Sequence, residues 1–471
     1  MTVFRCNLDV PVLRHTLNHL GVVVASKLMP LASLLVYSRF LEPEEYGVVS
    51  LFFSYIWIFG ILLTVNMHTA IGRFIYDRGN QIETLVGTTL VCVLLPFITI
   101  AFIAIVELDR FAGLLNLPVT SVPFLFVVAV GQIVESLLIQ VLTSQERSGQ
   151  LLAASLMRSV GSMSLTVILL YELSTKKYYA VIYAESLFSG VLGVYLLYIF
   201  AQHRPWVFSA KMLRKFASYS IPLIPYMLSL TLISQFDRVM IDRMFGKEST
   251  GVYSIGYNLG ILVVMVAGGL LNALNPRFFA AMNERRYNDV RRDTSAVFSL
   301  CVFGAFSLAL IGPDLAALVI PARYAEGFAL IPVVALGGLA SVVFQLWGRV
   351  VSYTNKTYIL SVIALAAVVI KIGLNMLILP SFGYWGAAIT TVIAYGFMAF
   401  CVVVIINREK DLIRVNLTPE IGWLSLLTFV VIVLQSIDKV GLLGMFLKVT
   451  TLLIVMWATW LSAKKLLHPS E

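Results

Sequence analysis

Charge is scarce in this chain. Asp, Glu, Lys and Arg make up 13% of its 471 residues, against about 25% in a soluble domain. That deficit, beside a high apolar content, excludes a disordered chain and speaks against a soluble enzyme or a nucleic-acid module. Cysteine is nearly absent as well: Cys6, Cys92, Cys301 and Cys401 are far apart, and the last three sit inside apolar runs. Neither a disulfide framework nor a metal cluster follows from them, and they read as small core hydrophobes. No loop is long enough to hold a folded domain. What fills the chain is hydrophobic, at 59%, in about fourteen apolar runs from 17–41 to 441–461, each near the roughly 20 residues that a membrane-crossing helix needs.

The formal charge of +9 is unevenly spread. Outside the apolar runs, the amino terminus and every second loop collect 21 Lys and Arg residues, and the alternate loops collect eight. By the positive-inside rule the richer side is cytoplasmic, and an even number of spans puts both termini there. The first run contains Lys27 and leads straight into a second, so it reads as a retained helix rather than a cleaved signal peptide. The segment 276–294, with RRYNDVRRD at its centre, reads as a short basic cytoplasmic hairpin near anionic lipid heads.

A repeat underlies the runs. Shifting the sequence by 204 residues aligns Arg39–Phe74 with Arg243–Phe278 without a gap, and seven of 36 positions match: Arg39 with Arg243, Glu44 with Glu248, Gly47 with Gly251, Val48 with Val252, Ser50 with Ser254, Arg73 with Arg277, Phe74 with Phe278. Average residue usage gives about two or three. The shift carries six spans onto the next six, so the two halves face the same way across the bilayer. The expected fold is an all-α integral membrane protein of about fourteen transmembrane helices. Residues 1–205 form one six-helix lobe and 206–410 a second, related by an axis along the membrane normal with a central cleft, while 411–471 add two helices and a cytoplasmic tail. Gly47 and Gly251 open the second helix of each half, and Pro43 with Glu42, Glu44 and Glu45 suits a helix amino terminus. Arg73 and Arg277 end that helix at the cytoplasmic face, where they serve either the helix dipole and lipid phosphate or a substrate.

Three stretches carry a family signature: YSRFLEPEEYGVVS at 37–50, QFDRVMIDRMFGKESTGVYSIGYNLG at 235–260 and LNMLILPSFGYWGAAITTVIAYG at 374–396. In this order and spacing they resemble the polysaccharide flippases of the multidrug, oligosaccharidyl-lipid and polysaccharide exporter superfamily, and more closely the bacterial O-antigen and capsule type. The resemblance covers roughly residues 15–407. It implies a V-shaped pair of six-helix lobes, alternating access and a cationic cavity. The implied substrate is a lipid-linked oligosaccharide on undecaprenyl pyrophosphate, moved from the cytoplasmic to the outer leaflet of the inner membrane. Membrane lipids, a polysaccharide polymerase and assembly proteins are the implied partners; no cofactor and no nucleic acid is expected.

Charges inside the spans are the candidate functional residues, because a lone charge at mid-bilayer costs at least about 2.5–3.5 kcal/mol. Lys27 lies about 15 Å into the first span, where snorkelling does not relieve it; it serves a cavity or an internal salt bridge. Lys371 and Asn375 are four apart and share a helix face, either toward substrate or as a packing pair within the lobe. Arg158 and Glu135 fall at similar depth and are placed to pair. Pro222 and Pro225 in SYSIPLIPYM predict a kink or break, a candidate rocking hinge. Asp237, Arg238, Asp242 and Arg243 follow near the outer end, as an interfacial ion network, an extracellular gate or a cation-coupling carboxylate. Asn272, Asn275 and Pro276 close the eighth span, with His68 in the place of Asn272 in the first half, and line the inner mouth. Tyr253 and Tyr257, one turn apart, stack on sugar or simply pack. Glu185 and Lys448 lie near outer helix ends and are expected to snorkel.

Within the spans five basic residues (Lys27, Arg39, Arg158, Lys371, Lys448) stand against three acidic ones (Glu135, Glu185, Asp237), which favours an anionic substrate. Two other functions compete. A drug-cation antiporter of the same superfamily prefers buried carboxylates, of which Glu135 and Asp237 are available. A membrane glycosyltransferase would use Glu42, Glu44 and Glu45, but lacks an outer domain to bind an acceptor.

Overall fold

The computed structural model describes residues 29–64, 67–74, 82–145, 147–201, 207–354 and 356–408, with isolated positions between 422 and 457. Among them every regular element is helical, the form that satisfies backbone groups internally where no water is available. Ten helical segments among the described residues are long and apolar enough to cross a membrane. Their outward faces carry large apolar side chains, Leu318 at 81% exposure and Leu377 at 75%, an arrangement suited to lipid and not to water.

Local sequence sets the breaks. Ser209 caps the Ala210–Ser220 helix, its hydroxyl accepting the Met212 N–H at 3.3 Å, and so satisfies one of the free donors at that end. Pro222 then sits in a single 3₁₀ turn, Ile221–Leu223, and Pro225 in the first turn of the next helix, where a missing N–H is tolerated. The double-proline break is thus one tight turn between two helices. Further on, Gly246 adopts φ 84° inside Ile224–Gly260, a conformation that side chains resist, and the chain folds back on itself. In an unbroken helix Asp237 and Tyr253 would stand about 24 Å apart; here the Tyr253 hydroxyl lies 2.8 Å from Asp237 Oδ2.

The basic segment 276–294 is helical almost throughout. Helices Leu262–Asn283 and Tyr287–Val319 run into it, and the reversal takes only residues 284–286, with Arg285 at φ 57°. Hydropathy loses these helices where they leave the membrane because their residues turn polar, although the backbone stays regular. Arg277 Nε meets Asp293 Oδ2 across the hairpin at 2.7 Å.

The chain forms two compact units, one of residues up to Leu41 with Leu51–Ile224, the other of Glu42–Ser50 with residues from Pro225 onward. This departs from a division at 205/206. The Ala210–Ser220 helix stays with the first unit because Phe216 is buried in that unit's core, to which Phe126 and Leu137 also belong, and stacks on Phe74 with ring centroids 5.8 Å apart. Residues 42–50 join the second because two glycines let backbones touch there. A Cβ added to Gly47 would stand 1.9 Å from the Lys247 carbonyl oxygen, and one on Gly251 1.9 Å from that of Pro43. Phe306, Leu346, Trp347 and Val402 belong to the main core of the second unit.

Candidate functional site

Among the described residues, a charged cluster lies within the apolar helices of each unit. In the second unit the fold-back at Gly246 brings the 235–245 and 247–260 stretches together, and the Thr357–Phe382 and Tyr384–Arg408 helices pack beside them. Asp237 is completely buried and its carboxylate is saturated. Oδ2 accepts from Lys371 Nζ at 2.7 Å and from the Tyr253 hydroxyl at 2.8 Å, with Thr391 Oγ1 at 3.1 Å, while Oδ1 accepts from Asn375 Nδ2 at 2.9 Å. Lys371 also donates to the Ile233 carbonyl, and Thr390 donates to Asn375 Oδ1. Lys371 and Asn375 therefore share a face, as their spacing requires, and that face points into the unit. The crevice beside them, lined by Leu232, Phe236, Val368 and Ile372, has no room for a water molecule.

Arg238, the next residue, is 3% exposed and is met by neutral acceptors. Nη1 donates to the Ser234 carbonyl at 2.8 Å and to Gln235 Oε1 at 3.0 Å, Nη2 to Asn258 Oδ1 at 2.8 Å, and Nε to Ser254 Oγ at 3.2 Å. Its guanidinium lies 4.9 Å from the centre of the Tyr257 ring. Among the described residues no carboxylate comes within ion-pair distance of it. Asp237 against Lys371 and Arg238 leaves this cluster one positive charge in excess. Asp242 is held by Lys247 at 2.7 Å across the Gly246 turn. Tyr253 and Tyr257 are both buried, with ring centroids 5.6 Å apart, and pack rather than face an open surface.

The repeat itself meets in this unit. Gly47 touches Lys247 and Gly251 touches Pro43, contacts that the 204-residue shift exchanges, while Ser50 Oγ donates to its own counterpart, Ser254 Oγ, at 2.6 Å. Asn258 Nδ2 reaches the Tyr46 hydroxyl at 3.4 Å. Two of the matched pairs thus owe their identity to a close helix crossing: only glycine permits the backbone approach, and two serines bridge the next turn.

In the first unit Arg158 bridges two carboxylates. Nη1 pairs with Glu135, as their depths predicted, and Nη2 lies 3.8 Å from Glu185 Oε2, whose other oxygen accepts from Ser162 Oγ at 2.7 Å. Glu185 accordingly turns inward instead of snorkelling. Lys448 does not snorkel either; it is buried 2.9 Å from Asp314 Oδ2. In both cases a charged partner on a neighbouring helix outweighs the path to the interface, which a single helix cannot reveal.

The remaining candidates fall elsewhere. Arg277 is half-exposed at the hairpin 276–294, paired with Asp293. Arg73 ends the Met67–Phe74 helix. Asn272 is exposed on the Leu262–Asn283 helix. Lys27 lies outside the described residues. Thr390, Thr391, Asn258 and Gln235 were not singled out from the sequence, although TT at 390–391, one turn past the small residues Ala387 and Ala388, marks a polar step on an otherwise apolar helix.

A family model described as "Polysaccharide biosynthesis protein" matches residues 12–282. A Haemophilus influenzae protein of the Lsg locus is 24% identical over 277 residues, a match that spans 56% of this chain and 65% of that relative. Among solved structures, the lipid II flippase MurJ in an inward closed conformation superposes with a TM-score of 0.70 at 11% identity, covering 95% of this chain and 99% of MurJ. An inward-facing multidrug resistance MATE family transporter of the MOP superfamily follows at 0.65 and 17% identity, covering 79% of this chain and 92% of the transporter. At these identities the likeness is one of fold, and the fold is of the MATE and MurJ type.

Proposed function

The chain belongs to the polysaccharide biosynthesis protein family, and from that premise we propose that it is a flippase for a lipid-linked oligosaccharide of the undecaprenyl-pyrophosphate type. It carries its substrate from the cytoplasmic to the outer leaflet of a bacterial inner membrane by alternating access through a cationic central cavity, with no bond made or broken. The state of Asp237 carries this reading. A cation antiporter working through Asp237 needs that carboxylate free to take and release its ion, and Asp237 already accepts Lys371, Tyr253 and Asn375. The positive excess left by Arg238 suits a pyrophosphate, which brings about two negative charges into a low-dielectric region. Asn272 supports a polar cleft beside its helix, since an exposed carboxamide there is costly against lipid.

Lys27, Arg73, Arg277 and Asn272 are the proposed lining residues. Lys371, Asn375 and Arg158 are assigned an indirect role, setting the charge of the surrounding helices. Pro222 and Pro225, where the two units meet in sequence, are the proposed hinge, and Asp242 with Arg238 the outer gate. The distribution of Lys and Arg supports cytoplasmic termini. A polymerase and assembly proteins are the expected recipients of the glycan.

Complementation of a flippase-null strain with defined lipid-linked glycans tests the function: restored surface glycan supports it, while restored drug resistance without glycan supports the antiporter. In that assay Lys27→Ala is expected to abolish export and leave membrane insertion intact. Export at the wild-type level would remove Lys27 from the cavity.

The first unit bears on the driving force. Arg158 against Glu135 and Glu185 leaves one negative charge, which a proton or a sodium ion completes at low dielectric cost. Glu135→Gln is expected to flatten the dependence of transport on the proton or sodium gradient in reconstituted vesicles. A gradient dependence equal to wild type would show that the triad is structural.

A further inference from the structure

Arg349 is set apart from the clusters above. It lies four residues before the end of the Ile331–Tyr353 helix, about 6 Å inside that end, on the side that the charge distribution marks as cytoplasmic. Its guanidinium carbon stands 4.7 Å from the centre of the Phe278 ring. Nε and Nη1 are buried, and neither has a hydrogen-bond partner among the described residues. Orphaned charged donors of this kind are costly, and the ring compensates only part of that cost, since it offers a π face in place of a lone pair. The carboxylate that acts on Arg349 through its charge is Asp293, yet Asp293 is engaged elsewhere: its Oδ2 holds Arg277 Nε at 2.7 Å. Arg349 and Arg277 against Asp293 leave one positive charge in excess, with two in-plane N–H groups aimed at no acceptor.

A phosphate group supplies what is missing: several strong acceptor oxygens, negative charge, and a spacing that matches the guanidinium fork. We infer that Arg349, together with Arg277, to which it is linked through Asp293, is a docking site for a phosphate- or diphosphate-bearing headgroup at the cytoplasmic end of the second unit. Its depth is that of a lipid headgroup, so a lipid-linked substrate reaches it without leaving the membrane. The meaning of the site as the place where cargo is loaded rests on the flippase reading; the binding itself does not.

Calorimetric titration of the purified full-length protein with inorganic pyrophosphate, in a neutral detergent, tests the site. Arg349→Gln is expected to weaken binding at least tenfold with the melting temperature unchanged. Arg349→Lys is expected to recover part of it, because an ammonium restores charge but not the fork. Asp293→Asn is expected to act in the opposite direction and tighten binding, by releasing Arg277 and removing a competing charge. This second variant carries the test should Arg349→Gln fail to fold. Affinity unchanged in Arg349→Gln, or unchanged or weaker in Asp293→Asn, overturns the proposal.

Repeating the titration in nanodiscs distinguishes the source of the phosphate. Loss of pyrophosphate binding in phosphatidylglycerol but not phosphatidylcholine identifies a site that membrane phospholipid fills, and equal binding in both identifies one selective for diphosphate. Export in the flippase-null strain is read separately, so the site and the function can each fail alone.

Discussion

Lys371→Ala is expected to remove the folded protein from the membrane and not merely its activity. The substitution leaves Asp237, wholly buried and facing Lys371 Nζ at 2.7 Å, as an uncompensated carboxylate among apolar helices. Breaking a buried pair in this way costs about 3–5 kcal/mol, a large share of the roughly 5–15 kcal/mol that holds a domain together. The remedy is specific. Asp237→Asn with Lys371→Met removes both charges, keeps the volumes and leaves an amide that still meets Asn375, Tyr253 and Thr391, so the double variant is expected to regain most of the stability. Thermal unfolding of detergent-extracted protein, followed by size-exclusion chromatography, measures both. If Lys371→Ala is folded at wild-type level and loses export alone, Lys371 serves the substrate directly and the structural account is wrong.

Gly47→Ala and Gly251→Ala are expected to produce the next largest effect. Each new methyl would stand 1.9 Å from a backbone carbonyl oxygen, Lys247 or Pro43, where carbon and oxygen need more than 3 Å. No side chain can swing aside, so the two helices must separate by over an ångström. Overpacking of this kind costs about 1–3 kcal/mol, and the separation also stretches the Ser50–Ser254 hydrogen bond, 2.6 Å long. Ser50→Ala alone is expected to cost about 1 kcal/mol. Melting temperatures of the single variants, compared with Gly47→Ala/Gly251→Ala, test the crossing. The two glycines face one contact, so the double variant is expected to lose less than the sum. A neutral Gly47→Ala would show that the contact is not tight.

Much of the polar architecture was legible as parts and not as wholes. Lys371 and Asn375 declare a shared face by their spacing, and Glu135 and Arg158 declare a pairing by their depth, because both arguments need only the rise of a helix. The partner that completes each set comes from elsewhere in the chain. Asp237 lies 134 residues before Lys371, and Glu185 reaches Arg158 from a third helix. Glu185 and Lys448 show the same limit from the other side: each looked free to snorkel, and each is claimed by a neighbour. The repeat is the exception. Its matched glycines and serines were visible as coincidences at one fixed shift, and they turn out to be residues that touch.

The breaks followed local chemistry more closely than hydropathy suggested. Gly246 turns the chain because a backbone at φ 84° suits only glycine, whereas the basic stretch 276–294 keeps its helices because Arg, Asn and Asp do not oppose helical backbone strongly.

By itself, then, the amino-acid order determined that the chain lives in lipid, that its elements are helices and which charges are too costly to be accidental. All of these depend on transfer free energies and on periodicities that act over one helix length. Tertiary structure alone decided which of those charges are spent on one another and which are left over: Asp237 on Lys371, Asp293 on Arg277, and Arg349 Nε and Nη1 without an acceptor among the described residues. Such pairings join residues on different helices, and electrostatic energy at low dielectric depends on distances of a few ångströms that no one-dimensional pattern records.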